Sequence, residues 1–208
     1  MDLTDAQRIL KAAWPDIVAE CRAVLGGELH YQAVVYHCLR NAGCPRTQIG
    51  MNVKQMILDP VTDLFQSWDA KKHTSFQGGF EPIPDIVLFG SGIGGDWRRR
   101  NYAGTLAHML CAIEVKASER ANSRLGTAEV RRDIAKLAAH RDEVRHRGGA
   151  MYPVMMVIDV APDPAERMRD HAVAECADYA AREAVAWLYA SPLADQCVLE
   201  IGAAAMAS

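Results

Sequence analysis

No C-x-x-C pair occurs among the six cysteines, at positions 21, 38, 44, 111, 176 and 197. No cysteine or third histidine joins His30 and His37, so a zinc site is not expected. A disulfide framework is not expected either, because several of the cysteines fall inside apolar helix or strand patterns, where free thiols bury. No apolar run approaches the length of a membrane span. The N-terminus, Met1-Asp2-Leu3-Thr4-Asp5, is acidic and lacks a charged-then-apolar leader. The expectations are therefore no membrane partner and a cytoplasmic location. H-E-x-x-H, G-x-S-x-G and P-loop sequences are all missing. A basic excess is missing too, since the formal net charge is −3. Internal repeats and low-complexity linkers are absent.

What is there is a chain of 208 residues, half of them hydrophobic, enough to bury the core of one domain over 1–208. Its expected parts are an N-terminal helical extension at 1–26, a core at 27–160, a C-terminal helix and strand at 161–201 and a frayed tail at 202–208. Thr4-Asp5-Ala6-Gln7 fits a capping box, so a first helix is expected over about 5–13 and a second from Pro15 to about 25. Gly26-Gly27 breaks the chain before a helix over 28–41. A strand or hairpin arm is expected within 48–58, a short helix within 60–70 and a polar loop over 73–82. Apolar runs predict strands at 85–89, 109–117, 153–160 and 197–201, with helices over 128–146 and 163–189. This order predicts an α/β fold with a mixed central sheet flanked by helices.

Charge is unevenly spread. Residues 90–150 hold twelve Lys and Arg against seven Asp and Glu, while the chain as a whole is acidic. Affinity for nucleic acid depends on local neutralisation of phosphates rather than on overall charge.

Two short motifs stand out within that pattern. Pro84-Asp85 opens the run Ile86-Val87-Leu88-Phe89, and Glu114-Val115-Lys116 closes the run that starts at Met109. Charged groups in buried strands are costly unless paired or bound to a metal. Side chains on a strand alternate faces, so Glu114 and Lys116 share one face with Leu110 and Ala112. If the two strands are neighbours, Asp85 and Glu114 converge on one hard cation. Mg²⁺ takes one or two carboxylates and keeps several waters. The chain supplies its own controls. Pro-Asp also occurs at Pro15-Asp16 and Pro162-Asp163, and acid-x-Lys at Asp69-Ala70-Lys71, but only the favoured pair flanks apolar β-like runs.

The pattern Pro84-Asp85 with Glu114-Val115-Lys116 resembles the PD-(D/E)xK nuclease superfamily, over roughly residues 27–160. The resemblance implies a restriction-endonuclease-like αβββαβ core, here with extra N- and C-terminal helices. It also implies a Mg²⁺-dependent nuclease, with Mn²⁺ as substitute, that hydrolyses phosphodiester bonds by attack of a metal-activated water. DNA is the expected substrate ahead of RNA. Asp85 and Glu114 would hold the metal, helped by the Val115 carbonyl. Glu28 would assist from the N-terminal helix, and Lys116 would position the water or help deprotonate it. Gln32, four residues after Glu28, could steady Glu28 or a metal water. A homodimer would let such an enzyme reach both strands. The competing expectation is a catalytically inactive module of the same fold that binds nucleic acid or a protein partner.

Candidate nucleic-acid contacts surround the motif. Trp97 could stack on a base, and Arg98, Arg99 and Arg100 suit phosphate. Ser118, Arg120 and Arg124 follow Lys116 closely, and Lys136 on the next helix is a further cation. The run Gly90-Ser91-Gly92-Ile93-Gly94-Gly95 matches G-x-G-x-x-G after a strand. A dinucleotide fingerprint must open a helix, however, and residues 96–104 carry no apolar helical stripe.

Overall fold

A computed structural model describes residues 1–119 and 122–201. The first helix, α1, runs Leu3–Ala23. Its buried stripe Ala6, Ile9, Leu10, Ala13, Trp14, Ile17, Val18 and Cys21 follows the helical repeat. It is one helix, not the expected two, and Pro15 lies inside it on an exposed turn. The capping box also sits earlier than Thr4. Asp2 Oδ1 accepts from the Asp5 N–H at 2.8 Å, and Asp5 Oδ2 accepts from the Asp2 N–H at 3.3 Å. Helix α2 covers Glu28–Asn41, as the sequence predicts.

Six strands form one mixed sheet: β1 (Ile49–Met51), β4 (Ile86–Phe89), β5 (Met109–Ala117), β6 (Tyr152–Ile158), β7 (Ala186–Ala190) and β8 (Asp195–Val198), in that spatial order. β1, β4 and β5 are mutually antiparallel neighbours, β5, β6 and β7 run parallel, and β8 is antiparallel to β7. The strands numbered between are a separate pair, β2 (Ile57–Leu58) and β3 (Gly79–Phe80). Helix α3 (Asp63–Ala70) precedes β3, α4 (Tyr102–Ala107) precedes β5, and α5 (Thr127–His146) and α6 (Asp170–Arg182) make the crossovers between parallel strands. An α/β class with helices on both faces of a mixed sheet is therefore what the chain forms.

Two apolar layers hold the sheet. One packs α1 and α2 against Ile86, Leu88, Cys111, Ile113, Val115, Val154, Met156 and Leu188. The other packs α5 and α6 against Val87, Phe89, Ala112, Met155, Val157 and Trp187. The alternation puts Glu114 and Lys116 on the α5 side. It reverses near the start of β5, where an irregularity between Leu88 and Phe89 sets Met109 against Phe89. Met109 thus joins the α5 layer and Leu110 the opposite one, contrary to simple alternation from Glu114.

The C-terminal region departs most from expectation. The helix predicted over 163–189 is only Asp170–Arg182, and Ala186–Ala190 is a fully buried strand. The last strand ends at Val198, not at 201. Because α1 packs into the same layer as α2, and β7 and β8 complete the same sheet, neither end of the described chain is an appendage. No helix among the described residues is long and apolar enough to cross a membrane.

Candidate functional site

Asp85 sits one residue before β4. The antiparallel register pairs Ile86 with Ile113, so Asp85 faces Glu114 on the neighbouring strand and both carboxyls lie on the α5 side. Both are buried, at 7% and 3% exposure. Asp85 Oδ2 accepts a hydrogen bond from the Val115 N–H at 2.7 Å. A strand residue's own N–H and C=O leave the same edge, so the Val115 carbonyl is directed toward the Asp85 side.

A chain of ion pairs surrounds the two acids. Lys136, on α5, brings Nζ to 2.5 Å from Glu114 Oε1 and 3.4 Å from Asp133 Oδ1. Lys116 Nζ lies 3.4 Å from Asp133 Oδ2 and 3.1 Å from Glu28 Oε2. Four carboxyls (Glu28, Asp85, Asp133, Glu114) thus share two ammonium groups, which leaves two negative charges uncompensated if every acid is ionised. Glu114 Oε1 and Asp133 Oδ2 are also buried without a hydrogen bond. The Lys136–Glu114 contact is close enough to pair charge, but it is not aimed to complete a hydrogen bond at that oxygen.

Protonation follows from this crowding. Burial raises the Glu114 pKa to about 8; Lys136 opposes the shift and Asp85 adds to it. Burial likewise raises Asp85, against the Val115 N–H and the two lysines. Burial also raises Glu28, against Lys116. For Lys116, burial alone would lower the pKa, but Asp133 and Glu28 outweigh it and hold the ammonium above its ordinary range. Lys116 is thus a fixed cation at neutral pH. As an ammonium it can orient a water or a phosphate oxygen.

The donor set fits a hard divalent cation. Among the described residues no group of three or more His, Cys, Asp or Glu side chains converges closely enough to hold an ion. Mg²⁺ does not require one: two carboxylates, a backbone carbonyl and waters suffice. Asp85, Glu114 and the Val115 carbonyl supply that set. Such an ion would satisfy Glu114 Oε1, which is buried without a hydrogen bond, and would compete there with the Lys136 ammonium. Lys136 now occupies the approach to Glu114, so it belongs to the acid cluster and not to an outer nucleic-acid contact surface.

The remaining expected residues divide. Glu28 reaches Lys116 and not the two strand acids. Its helix is held by Glu119, whose Oε2 accepts from the Glu28 N–H at 2.7 Å. Gln32 makes no hydrogen bond to Glu28; its Oε1 accepts from Asn52 Nδ2 at 3.3 Å, and the Asn52 N–H donates to the Asp85 carbonyl at 2.9 Å. It steadies the approach to Asp85 at one remove. Ser118 donates its N–H to the Ile158 carbonyl and lines a cavity of about 240 Å³ with Glu28, Lys116 and Arg124. Arg120 lies outside the described residues.

The segment carrying Trp97 and Arg98–Arg100 leaves β4 at Phe89, the end opposite Asp85. Trp97 stacks on Phe89 with ring centroids 6.0 Å apart and planes 3° from parallel. It is a half-buried cover for the sheet and not a free platform for a base. Arg98 pairs with Asp96 and Arg99 with Glu81. The Gly-rich run forms a single 3₁₀ turn over Ser91–Ile93, with Gly94 and Gly95 at φ of 60° and 75°, and no α-helix opens there, so a dinucleotide cradle has no α-helix N-terminus to use.

Sequence reasoning passed over Asp133 as a site residue. The signal was available, because Asp133 falls in the buried stripe of α5 with Val130, Ile134 and Leu137, and a buried acid on such a stripe needs a partner. Compared with protein-family profiles, curated proteins and solved structures, the chain finds no match.

Proposed function

We propose that this protein is a Mg²⁺-dependent nuclease of the PD-(D/E)xK type, with DNA as its expected substrate. The observation that carries the reading is the pairing of two buried carboxyls, Asp85 and Glu114, across neighbouring strands, with the Lys116 ammonium on the same face. The order α2, β1, β4, β5, α5, β6, with an antiparallel trio followed by a parallel strand, supports the restriction-endonuclease-like core that the motif implies.

In this reading Asp85, Glu114 and the Val115 carbonyl hold the cation. The cation supplies charge neutralisation on the phosphodiester and a lowered pKa for a nearby water. Asp133 and Glu28 fix the Lys116 ammonium, which would orient the water against phosphorus. Asn52 and Gln32 keep the chain before β4 in place.

One observation favours a second reading. The Lys136 ammonium stands against Glu114 Oε1, and a lysine kept there would fill the cation's place in an inactive module that binds nucleic acid or a protein. Cleavage of supercoiled and single-stranded DNA with Mg²⁺ or Mn²⁺ separates the two. The nuclease reading expects metal-dependent cutting that falls at least ~100-fold in Asp85→Ala and in Lys116→Ala, the scale of losing a positioned catalytic group. Cutting that survives both changes would remove the site, and binding without cutting would favour the module.

A further inference from the structure

The three parallel strands β5, β6 and β7 end along one edge of the sheet, and their carboxyl ends carry Lys116 and Ser118, then Asp159, then Ser191. Ligands of open α/β sheets bind outside the carboxyl ends of such strands. The 240 Å³ cavity beside Lys116 lies at the first of these ends and is lined by Glu28, Glu119 and Glu129 as well as by Lys116 and Arg124, so the positive charge is concentrated farther along the edge. A second cavity, of about 440 Å³, lies over the ends of β6 and β7 and is lined by Arg124, Arg167, Arg169, Tyr189 and Ser191. Arg124 lines both cavities.

The arginines are charged, and their only side-chain hydrogen bond among the described residues runs from Arg124 to the Arg167 carbonyl, while Arg167 also lies close enough to the buried Asp159 to oppose the pKa rise that burial imposes there. None of Arg124, Arg167 and Arg169 makes an ion pair with a carboxylate among the described residues, whereas Arg98, Arg99, Arg131 and Arg147 all do. Asp170 also borders the second cavity, but three guanidinium groups outnumber it.

Their backbone supports are fixed. The wholly buried Asp159 takes the Met168 N–H at 2.9 Å and the Tyr189 hydroxyl at 2.8 Å on Oδ2. That anchors the residue between Arg167 and Arg169. Arg124 donates to the Arg167 carbonyl at 3.0 Å, and Glu166 accepts from the Asn122 N–H at 2.8 Å. Two loops from different crossovers are thus tied together before any ligand arrives.

We infer that these arginines form the track for the phosphate backbone of a nucleic-acid strand leading to the Asp85–Glu114 site. The inference rests on the nuclease reading and adds to it the path of the substrate. Two inter-strand steps separate β5 from β7, about 10 Å, or roughly three nucleotide rises of ~3.4 Å. The arginine fork suits phosphate oxygens in geometry as well as in charge. The same placement gives the acids and the arginines separate tasks, with the cation at one end of the track and fixed positive charge at the other. The track lies at the carboxyl ends of the parallel strands, away from the Arg98–Arg100 segment that composition alone favours.

The test measures binding and cutting separately. Binding of a short fluorescein-labelled single-stranded oligonucleotide, and of its duplex, is followed by anisotropy over a range of salt. Ca²⁺ replaces Mg²⁺ in these titrations, and inorganic phosphate serves as competitor. Cleavage is followed with Mg²⁺. The main variant is Arg167→Gln with Arg169→Gln, since neither side chain makes a close ion pair among the described residues, and thermal unfolding checks that losing the Arg167 charge near the buried Asp159 leaves the fold intact. Arg98→Gln with Arg100→Gln is the control at the other end of the sheet.

The expected result is at least ~10-fold weaker binding in the main variant, with a log–log salt slope shallower by about 1.4, at ~0.7 per lost single-strand contact. The control pair is expected to bind within about twofold of wild type, and millimolar phosphate is expected to compete poorly with the strand. If wild type binds and cuts while the main variant binds as tightly, the track is overturned and the nuclease reading stands. If wild type binds through these arginines but cuts nothing under any metal, the nuclease reading falls and the binding track remains. If wild type binds neither form of DNA, the track is overturned whatever the cause, and loss of cutting as well would remove the nuclease reading with it.

Discussion

Two buried glutamates of this protein have their pKa values shifted in opposite directions, and their partners account for the difference. Glu143 is wholly buried, yet its Oε1 accepts from the Val61 N–H, the Thr62 N–H and the Thr62 hydroxyl at 2.7–2.9 Å, while Arg147 pairs with Oε2 at 2.6 Å. Burial pushes its pKa up, but these donors win and hold it below the usual range. Glu114 is nearly as well buried, and there burial, with Asp85 adding to it, outweighs the Lys136 ammonium, so its pKa rises to about 8. For Glu143 the folded value lies below the unfolded one. Its contribution to stability is therefore present above the ordinary glutamate range and lost as pH falls through the depressed value. Glu143→Gln is expected to cost about 2 kcal/mol near neutral pH, the scale of a charged hydrogen-bond set. The gap to wild type should narrow from about pH 5 to pH 3. Urea unfolding across that range checks it; a gap independent of pH would mean the carboxylate charge contributes nothing there.

The elements were legible where pattern and environment agreed, and not where burial erased the pattern. Helices α2 and α5 and strands β4, β5 and β6 could be read from the sequence, because their apolar periods and flanking glycines point the same way. Ala186-Trp187-Leu188-Tyr189-Ala190 could not. A parallel strand buried on both faces has no polar alternation, and after an Ala-rich helix it reads as more helix. Only Ala184, at φ 49° between α6 and β7, marks the turn, and that is a backbone fact the sequence does not print. Pro15 misled in the opposite sense. A proline usually opens or ends a helix, yet here it lies within α1, where its missing N–H leaves the Lys11 carbonyl without an i→i−4 partner. Both residues are exposed, so water can fill the gap. Pro15→Ala restores the bond at the expense of some unfolded-state entropy. It is expected to stabilise the protein by about 2 kcal/mol, the interior cost of proline less its chain-stiffening benefit. Thermal unfolding checks it, and a lowered midpoint would show that the ring itself contributes packing to α1.

For the molecule as a whole, net charge is a poor guide and the edge of the sheet a good one. The chain is acidic overall, yet its carboxyl groups gather where a cation would sit, and three arginines line a cavity farther along the same edge. The sequence disclosed the first half of that arrangement through Pro84-Asp85 and Glu114-Val115-Lys116. It did not disclose the second half, because Arg124, Arg167 and Arg169 come to line one cavity only when the loops after β5 and β6 are tied together by Glu166 and Arg124. The basic run Arg98–Arg100 is conspicuous in sequence but lies at the other end of β4. Everything functional rests on Asp85 and Glu114 sharing one ion. The most direct measurement is a titration of the metal-free protein with Mn²⁺, with free Mn²⁺ read by electron paramagnetic resonance, on wild type and on Asp85→Asn. Wild type is expected to take up at least one ion per chain, and the variant to bind it at least ~10-fold more weakly, the scale of losing a ligand or its orienting partner. Equal uptake by the two proteins, or none by either, would contradict the account.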